Sequence, residues 1–308
     1  MAIKLVIFDN DGVNVNSEDL AMRVADDFLT DMVSQLSTPL EPDHVYHNFA
    51  GVSTNKIVSL LMQGRSIEPD AVMELYRFSF QQIEEIKRQQ GLEGETAQRE
   101  AVAFAIADLI TIETIERFKR DLKAVPGVVE AHEEIGRMVG PENVILATTS
   151  RADRMDVTLE AAVNPKTGAN AGLSDVFAAG ARRFSGYGHP NKYTALFEEL
   201  NRASFPYNLS ETAVVEDSIS GVRYAKDGRP DLRVVGTVAA NFYNDKDAHA
   251  HKLLEAGASV VISDMHDLPL ALAWLDAGVT PESCPEGFVG KAYTRANTGN
   301  AVLPSRSP

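Results

Sequence analysis

The segment Phe8-Asp9-Asn10-Asp11-Gly12 closes a short apolar run that begins at Ile3. Residues two apart in an extended segment face the same side, so Asp9 and Asp11 can both point into one site beyond the carboxyl end of a strand. Two carboxylates held that close repel each other; either a cation lies between them or one of them keeps its proton. Gly12 would then allow a sharp exit of the chain. A second apolar run, Val214-Val215, ends in Glu216-Asp217 ahead of the helix start Ser218-Ile219-Ser220-Gly221. An acidic pair at a helix start is also favoured by the helix dipole alone. Carboxylates from two adjacent strand ends, completed by water, nevertheless make a hard octahedral site suited to magnesium.

Two further segments add groups that suit an anion. Val144-Ile-Leu-Ala-Thr148-Thr149-Ser150 is an apolar run ending in hydroxyls. Thr148 and the backbone N–H groups after it could hold phosphate oxygens, although ordinary capping of the next helix uses the same residue types. In Gly188-His189-Pro190-Asn191-Lys192, a lysine opens a helical stretch. Near such a site it would neutralise a phosphate as a point charge; taken alone, it reads as a solvated surface lysine.

These segments need strands and helices to bring them together. Apolar runs at Ile3–Phe8, Val144–Ala147, Thr212–Val215, Val234–Val238 and Val260–Ile262 read as buried strands. Helical spacing lies between them, at Pro126–Met138 and Tyr193–Leu200. The alternation predicts an α/β fold, a doubly wound, Rossmann-like parallel sheet. From Ser17 to about Leu122 the pattern changes to amphipathic helices (Leu20, Val24, Phe28; Val72, Leu75, Ile83, Ile86; Val102, Ile106, Leu109, Ile112, Ile115). Ser17 is a plausible N-cap for the first of these. The expected organisation is a core of residues 1–15 and 124–280, an inserted α-helical cap of residues 16–123, and an irregular tail of residues 281–308 rich in Pro, Gly, Ser, Asn and Thr.

In this order and spacing the four segments resemble the haloacid dehalogenase superfamily, in its branch of helical-cap phosphatases and β-phosphoglucomutases. The resemblance covers about residues 1–265. Asp9-Asn-Asp11-Gly-Val resembles the first motif, Thr148 the second, and Glu216-Asp217-Ser218-Ile-Ser-Gly221 the fourth. Ala50-Gly51-Val52-Ser53 resembles the substrate-facing loop of the cap. The resemblance implies that Asp9 attacks phosphorus to form an aspartyl-phosphate, and that Asp11 acts as general acid and base. It implies phosphate binding by Thr148, Thr149, Lys192 and the backbone at Asn10. Mg2+ would be held by Asp9, the Asp11 carbonyl and Asp217, with Glu216 beside them. The cap residues Gly51, Val52 and Ser53 would meet the substrate, and closure of the cap would exclude water.

Some positions depart from the family pattern. The third motif usually places its lysine before a proline, where this chain has His189; the Asn191-Lys192-Tyr-Thr-Ala-Leu196 context favours Lys192 for that role. Ala21 and Thr54 stand where the mutases carry a histidine and an arginine, which argues against a phosphomutase. Asn14 occupies a position that is commonly apolar, and Asn16 one that is commonly Asp. A catalytically silent binding protein on this fold is a further alternative, disfavoured because each acidic motif residue is present.

Composition limits the other classes of function. With 29 Lys and Arg against 44 Asp and Glu, the net charge of −15 argues against a nucleic-acid binder. No apolar run approaches the roughly 20 residues of a membrane span. One cysteine, Cys284, excludes an internal disulfide, and with no signal peptide visible the expected compartment is the cytoplasm. His44 and His47 lack further ligands for zinc, and His249 and His251 read as surface residues. The expected partner is a small phosphorylated metabolite, acted on by a monomer or homodimer.

Overall fold

The computed structural model describes residues 3–49, 53–178, 182–240, 245–278 and 287–295. The chain divides into two compact units, Met1–Glu18 with Asp121–Pro308, and Asp19–Arg120.

The first unit is built on seven strands: β1 (Leu5–Phe8), β2 (Val144–Thr148), β3 (Arg182–Ser185), β4 (Thr212–Glu216), β5 (Arg233–Thr237), β6 (Val260–Ile262) and β7 (Ala292–Tyr293). They form one sheet in the order β3-β2-β1-β4-β5-β6-β7. Every neighbouring pair is parallel except β6 with β7. Helices cover both faces. This is the doubly wound arrangement predicted from the sequence. β1, β2, β4 and β6 are buried along their whole length. A strand covered on both faces carries apolar side chains on both, so it reads as an unbroken apolar run.

Two strands lack that signature. β3 reads Arg-Arg-Phe-Ser and lies at one edge of the sheet, where one flank has no strand to bury it. β7 lies at the other edge, inside the segment expected to be irregular. Its two residues pair antiparallel with Ile262 and Val261. Asp267 fixes the approach to β7 by accepting the N–H groups of Val289 (2.6 Å) and Gly290 (2.8 Å).

Thirteen α-helices occur among the described residues. Six belong wholly or largely to the second unit: α1 (Ser17–Leu36), α2 (His44–Asn48), α3 (Thr54–Gly64), α4 (Pro69–Tyr76), α5 (Phe80–Gln90) and α6 (Ala97–Asp121). The other seven surround the sheet: α7 (Val128–Val139), α8 (Ala152–Ala161), α9 (Leu173–Ala178), α10 (Lys192–Arg202), α11 (Ile219–Lys226), α12 (Lys246–Ala256) and α13 (Leu268–Asp276).

The second unit contains no strand among its described residues. Its α2 starts where the buried Asp26 carboxylate accepts the N–H groups of Val45 (2.6 Å) and Tyr46 (3.1 Å). A reciprocal capping box between Ser79 and Gln82 starts α5, and Gly91 ends it at φ 63°. Phe28 of α1 stacks on Tyr76 of α4 at 5.4 Å. No described helix is long and apolar enough to cross a membrane.

Candidate active site

The strand order reverses at β1. From it the chain builds β2 and β3 on one side, then β4, β5 and β6 on the other. Open α/β sheets bind ligands beyond the carboxyl ends of the strands at such a switch point. Asp9 follows β1, and Glu216 ends β4. The register pairs Phe8 with Val215, and the Asp9 N–H donates to the Val215 carbonyl at 3.0 Å. The two acidic motifs are therefore level with each other.

Oxygens of Asp9, Glu216 and Asp217 lie within 4.8 Å of one another, and all three residues are buried. Gly12 makes this approach possible. It adopts φ +79°, and a β-carbon there would stand 1.9 Å from the Asp217 Oδ2. Gly221 serves Glu216 in the same way: a β-carbon on it would meet the Glu216 carboxylate at 2.2 Å.

The Lys192 ammonium enters this acidic group. Its Nζ lies 2.6 Å from Asp9 Oδ1 and 2.7 Å from Glu216 Oε1. The helix start puts it there. Asn191 caps α10 by accepting the N–H groups of Tyr193 (3.0 Å) and Thr194 (3.2 Å), which makes Lys192 the first helical residue. Gly186, whose N–H donates to the Thr148 carbonyl at 2.7 Å, lets the lysine pass, because a β-carbon there would lie 2.5 Å from the Lys192 Cβ. His189 is exposed in the preceding turn.

Burial and Glu216 push the Asp9 carboxyl up to about 8, against the opposing pull of Lys192. Lys192 moves the other way. Burial disfavours its charge, but Asp9 and Glu216 outweigh that and raise its proton affinity. One ammonium thus serves two buried carboxylates beside a third. The deficit of positive charge and the all-oxygen donor set fit a divalent cation.

The carboxylate of Asp11 is turned elsewhere. It accepts from the Ser17 hydroxyl, from Ser150 Oγ at 2.9 Å and from Thr148 Oγ1 at 3.4 Å, and it faces the Arg154 guanidinium at 3.5 Å. Burial raises its pKa, but Arg154, Ser17 and Ser150 outweigh burial and hold it below the ordinary carboxylate range. Ser17 is the first residue of α1, one place inside the cap position expected for it, and its hydroxyl donates to this carboxylate.

The remaining expected residues divide. Thr148 ends β2 and is buried, and its Oγ1 also accepts the Ser150 N–H at 3.0 Å. Thr149 is exposed beside it. The Asn10 side chain points away from the acidic cluster and donates to Thr158 at 2.9 Å, which leaves only its backbone to serve a phosphate. Gly51 and Val52 lie outside the described residues, as do Ala50 and Cys284, and Ser53 is exposed just ahead of α3.

Several supporting residues were not anticipated from the sequence. Tyr193 donates its hydroxyl to Glu216 Oε1 at 2.7 Å. Its side chain is fully buried on the apolar face of α10, so the sequence marks it only as core. Ser218 gives Glu216 Oε2 a hydroxyl at 3.1 Å. His249, read from sequence as a surface residue, is half-buried and places Nε2 2.7 Å from the Asp217 carbonyl. Arg154 faces Asp11 without any motif to announce it, and Ser150, which the sequence marked only as part of the hydroxyl run after β2, binds the same carboxylate.

A buried ammonium between carboxylates of two strand ends, at the switch point of a doubly wound sheet, places a charged ligand site where open α/β folds carry theirs. The model of the haloacid dehalogenase-like hydrolases matches residues 3–228, and the chain belongs to that family. Members of the family generally use a divalent metal. No curated protein sequence matches the chain significantly.

Solved structures share the fold. A haloacid dehalogenase-like protein of unknown function from Agrobacterium tumefaciens is 24% identical, with a TM-score of 0.57 over 89% of this chain and 100% of that one. A family hydrolase from Deinococcus radiodurans, solved with bound phosphate and sodium, is 18% identical, with a TM-score of 0.57 over 90% of this chain and 96% of that one. A predicted phosphatase from Clostridium acetobutylicum is 14% identical, with a TM-score of 0.55 over 89% and 99%.

Proposed function

We propose that this protein is a Mg2+-dependent phosphatase that hydrolyses a small phosphate monoester through an aspartyl-phosphate on Asp9. The observation that carries the reading is the Lys192 ammonium 2.6 Å from Asp9 and 2.7 Å from Glu216, beside Asp217. That arrangement suits a dianion delivered to a carboxylate nucleophile.

In this reading an Asp9 oxygen bonds to phosphorus as the ester P–O bond breaks, and the electron pair of that bond leaves with the alcohol oxygen. Lys192 and the backbone amides from Asn10 onward hold the transferring phosphoryl oxygens, with Thr148 at the neighbouring strand end. Asp11 donates a proton to the leaving oxygen. It then takes one from the water that attacks the aspartyl-phosphate, releasing inorganic phosphate and restoring Asp9. Arg154, Ser17 and Ser150 favour its ionised form, which suits the second half-reaction; a phosphate dianion arriving beside it would raise its proton affinity for the first.

The cation would be held by Asp9, Asp217 and the Asp11 carbonyl, with Glu216 alongside. When bound, it neutralises charge as anion meets anion and as the transition state forms. Ala21 and Thr54, where the mutases carry histidine and arginine, favour free phosphate over an isomerised product.

The test is phosphate release from a panel of sugar phosphates, phosphoglycolate and nucleoside monophosphates. It is run with magnesium and with EDTA, on wild type and on Asp9→Asn. The expected result is release that needs magnesium and disappears in the variant. No release from any ester would overturn the reading in favour of a phosphomutase or a binding protein.

A further inference from the structure

Asn14 and His132 are buried polar residues at positions where helix and loop packing call for apolar ones. Asn14 is 0% exposed and His132 2% exposed. The Asn14 amide bridges two groups: Nδ2 donates to the Asp9 carbonyl at 2.8 Å, and Oδ1 lies 2.7 Å from His132 Nε2. Each assignment follows from the one before it. A backbone carbonyl can only accept, so the NH2 group of Asn14 must face Asp9. The oxygen then faces the imidazole, and His132 must carry its proton on Nε2.

The ring is held on both sides, with its centroid 4.3 Å from that of Phe8 and 4.8 Å from that of Phe177. Its Nδ1 is buried without a hydrogen-bond partner. An uncharged imidazole is the form that environment tolerates, because a buried charge without a counter-ion costs far more than a buried neutral group.

The carbonyl held by this pair belongs to the Asp9–Asn10 peptide. In a trans peptide the C=O and N–H point in opposite directions. Anchoring the oxygen therefore fixes the Asn10 N–H and the backbone that carries the Asp9 side chain. The rest of the turn is closed by backbone bonds from Asn14 N (2.8 Å) and Val15 N (3.2 Å) to the Asn10 carbonyl, and from Gly12 N to the Val15 carbonyl (2.8 Å). None of those bonds constrains the Asp9 carbonyl. The Asn14 amide does so, and α7 supports it through His132.

We propose that Asn14 and His132 are a pair of positioning residues for the nucleophile, a neutral buried couple that sets the Asp9–Asn10 peptide for attack on phosphorus. The proposal rests on the phosphatase reading. It concerns the alignment of Asp9, not the stability of the fold, and the two roles separate by experiment.

Asn14→Leu, His132→Leu, His132→Gln and the double variant Asn14→Leu/His132→Leu are compared for kcat and KM on p-nitrophenyl phosphate with magnesium, alongside Tm. Each single Leu variant should lower kcat by about tenfold to a hundredfold with KM little changed, the scale of a small misplacement of reacting groups. His132→Gln, whose amide can donate from nearly the same place, should recover most of the loss. The double variant removes both polar partners, so its Tm should return toward wild type while kcat stays low.

Lowered Tm with unchanged kcat per folded molecule would overturn the positioning role and leave the phosphatase reading intact. So would a double variant that recovers kcat together with Tm. A wild type with no turnover on any ester would overturn the phosphatase reading and this proposal with it.

Discussion

A β-carbon placed on Gly12 would stand 1.9 Å from the Asp217 Oδ2, although the two residues lie on different strand ends. The turn after the proposed nucleophile and the acidic end of β4 are thus packed to contact. Gly12→Ala must displace the Asp217 carboxylate, and it must also hold φ +79° with a side chain, at a cost of about 1–3 kcal/mol. The expected outcome is a folded but less stable protein that needs far more magnesium for half-maximal phosphate release. A magnesium titration checks it; an unchanged midpoint would remove Asp217 from the cation site.

Lys192 and His189 are separated by the same argument from position. Lys192→Ala leaves Asp9 and Glu216 buried without their shared counter-ion, a change worth about 3–5 kcal/mol in comparable pairs. Turnover should fall by roughly a hundredfold or more. His189→Ala alters an exposed turn and should leave turnover within about twofold. Initial rates and denaturation midpoints of both variants test this, and the reverse ranking would transfer the role to His189.

Asp11→Asn removes the group proposed to take a proton from the attacking water, while leaving Asp9 and its surroundings in place. The phospho-enzyme should form slowly and then persist. Acid-quenched reactions with a radiolabelled ester would reveal label on the protein. Turnover equal to wild type would rule out acid–base work by Asp11.

His132 gives a pH signature in stability. Burial lowers its pKa from 6.5 to about 3 in the folded protein. Between those values the unfolded chain binds a proton that the folded protein refuses. Stability from this group is therefore fully present above about pH 6.5 and declines as the pH falls toward 3, by roughly 1.4 kcal/mol per pH unit. Between pH 7 and pH 5 the wild type should lose about 2 kcal/mol more than His132→Gln in urea unfolding. Equal losses in the two proteins would show that the ring titrates normally.

The sequence revealed the parts of the site that lie at the ends of apolar runs. Asp9 and Glu216-Asp217 each close a strand buried on both faces, where an unbroken apolar stretch followed by acid is conspicuous. Lys192 was legible only through its Asn191 cap and the following residues, because nothing in a lone lysine says that it is 3% exposed. The supporting residues were hidden for a different reason. Tyr193 sits in the apolar stripe of α10, and a hydroxyl there looks like any core tyrosine. Arg154 and Ser150 reach Asp11 only because β2 and β1 are neighbours. Asn14 stands out in the sequence as a polar residue where an apolar one is common, but His132 does not, and their partnership spans 118 residues of sequence and needs the fold to be seen. β3 and β7 escaped because an edge strand is not obliged to be apolar on both faces.

The central place of β1 has a consequence for how the protein comes into being. β1 is made first, yet its partners are Val144 and beyond on one side and Thr212 and beyond on the other. Asp9 reaches its lysine across 183 residues of chain. During synthesis this apolar strand therefore has no partner strand until β2 has been made, and it lacks its second partner until β4 follows. Ordering of the reactive centre depends on long-range pairing, which is slow and exposed to aggregation. A truncated chain ending before β4 would carry Asp9 but neither Glu216 nor Asp217, and should be recovered as aggregate or chaperone-bound material instead of as a weakly active enzyme.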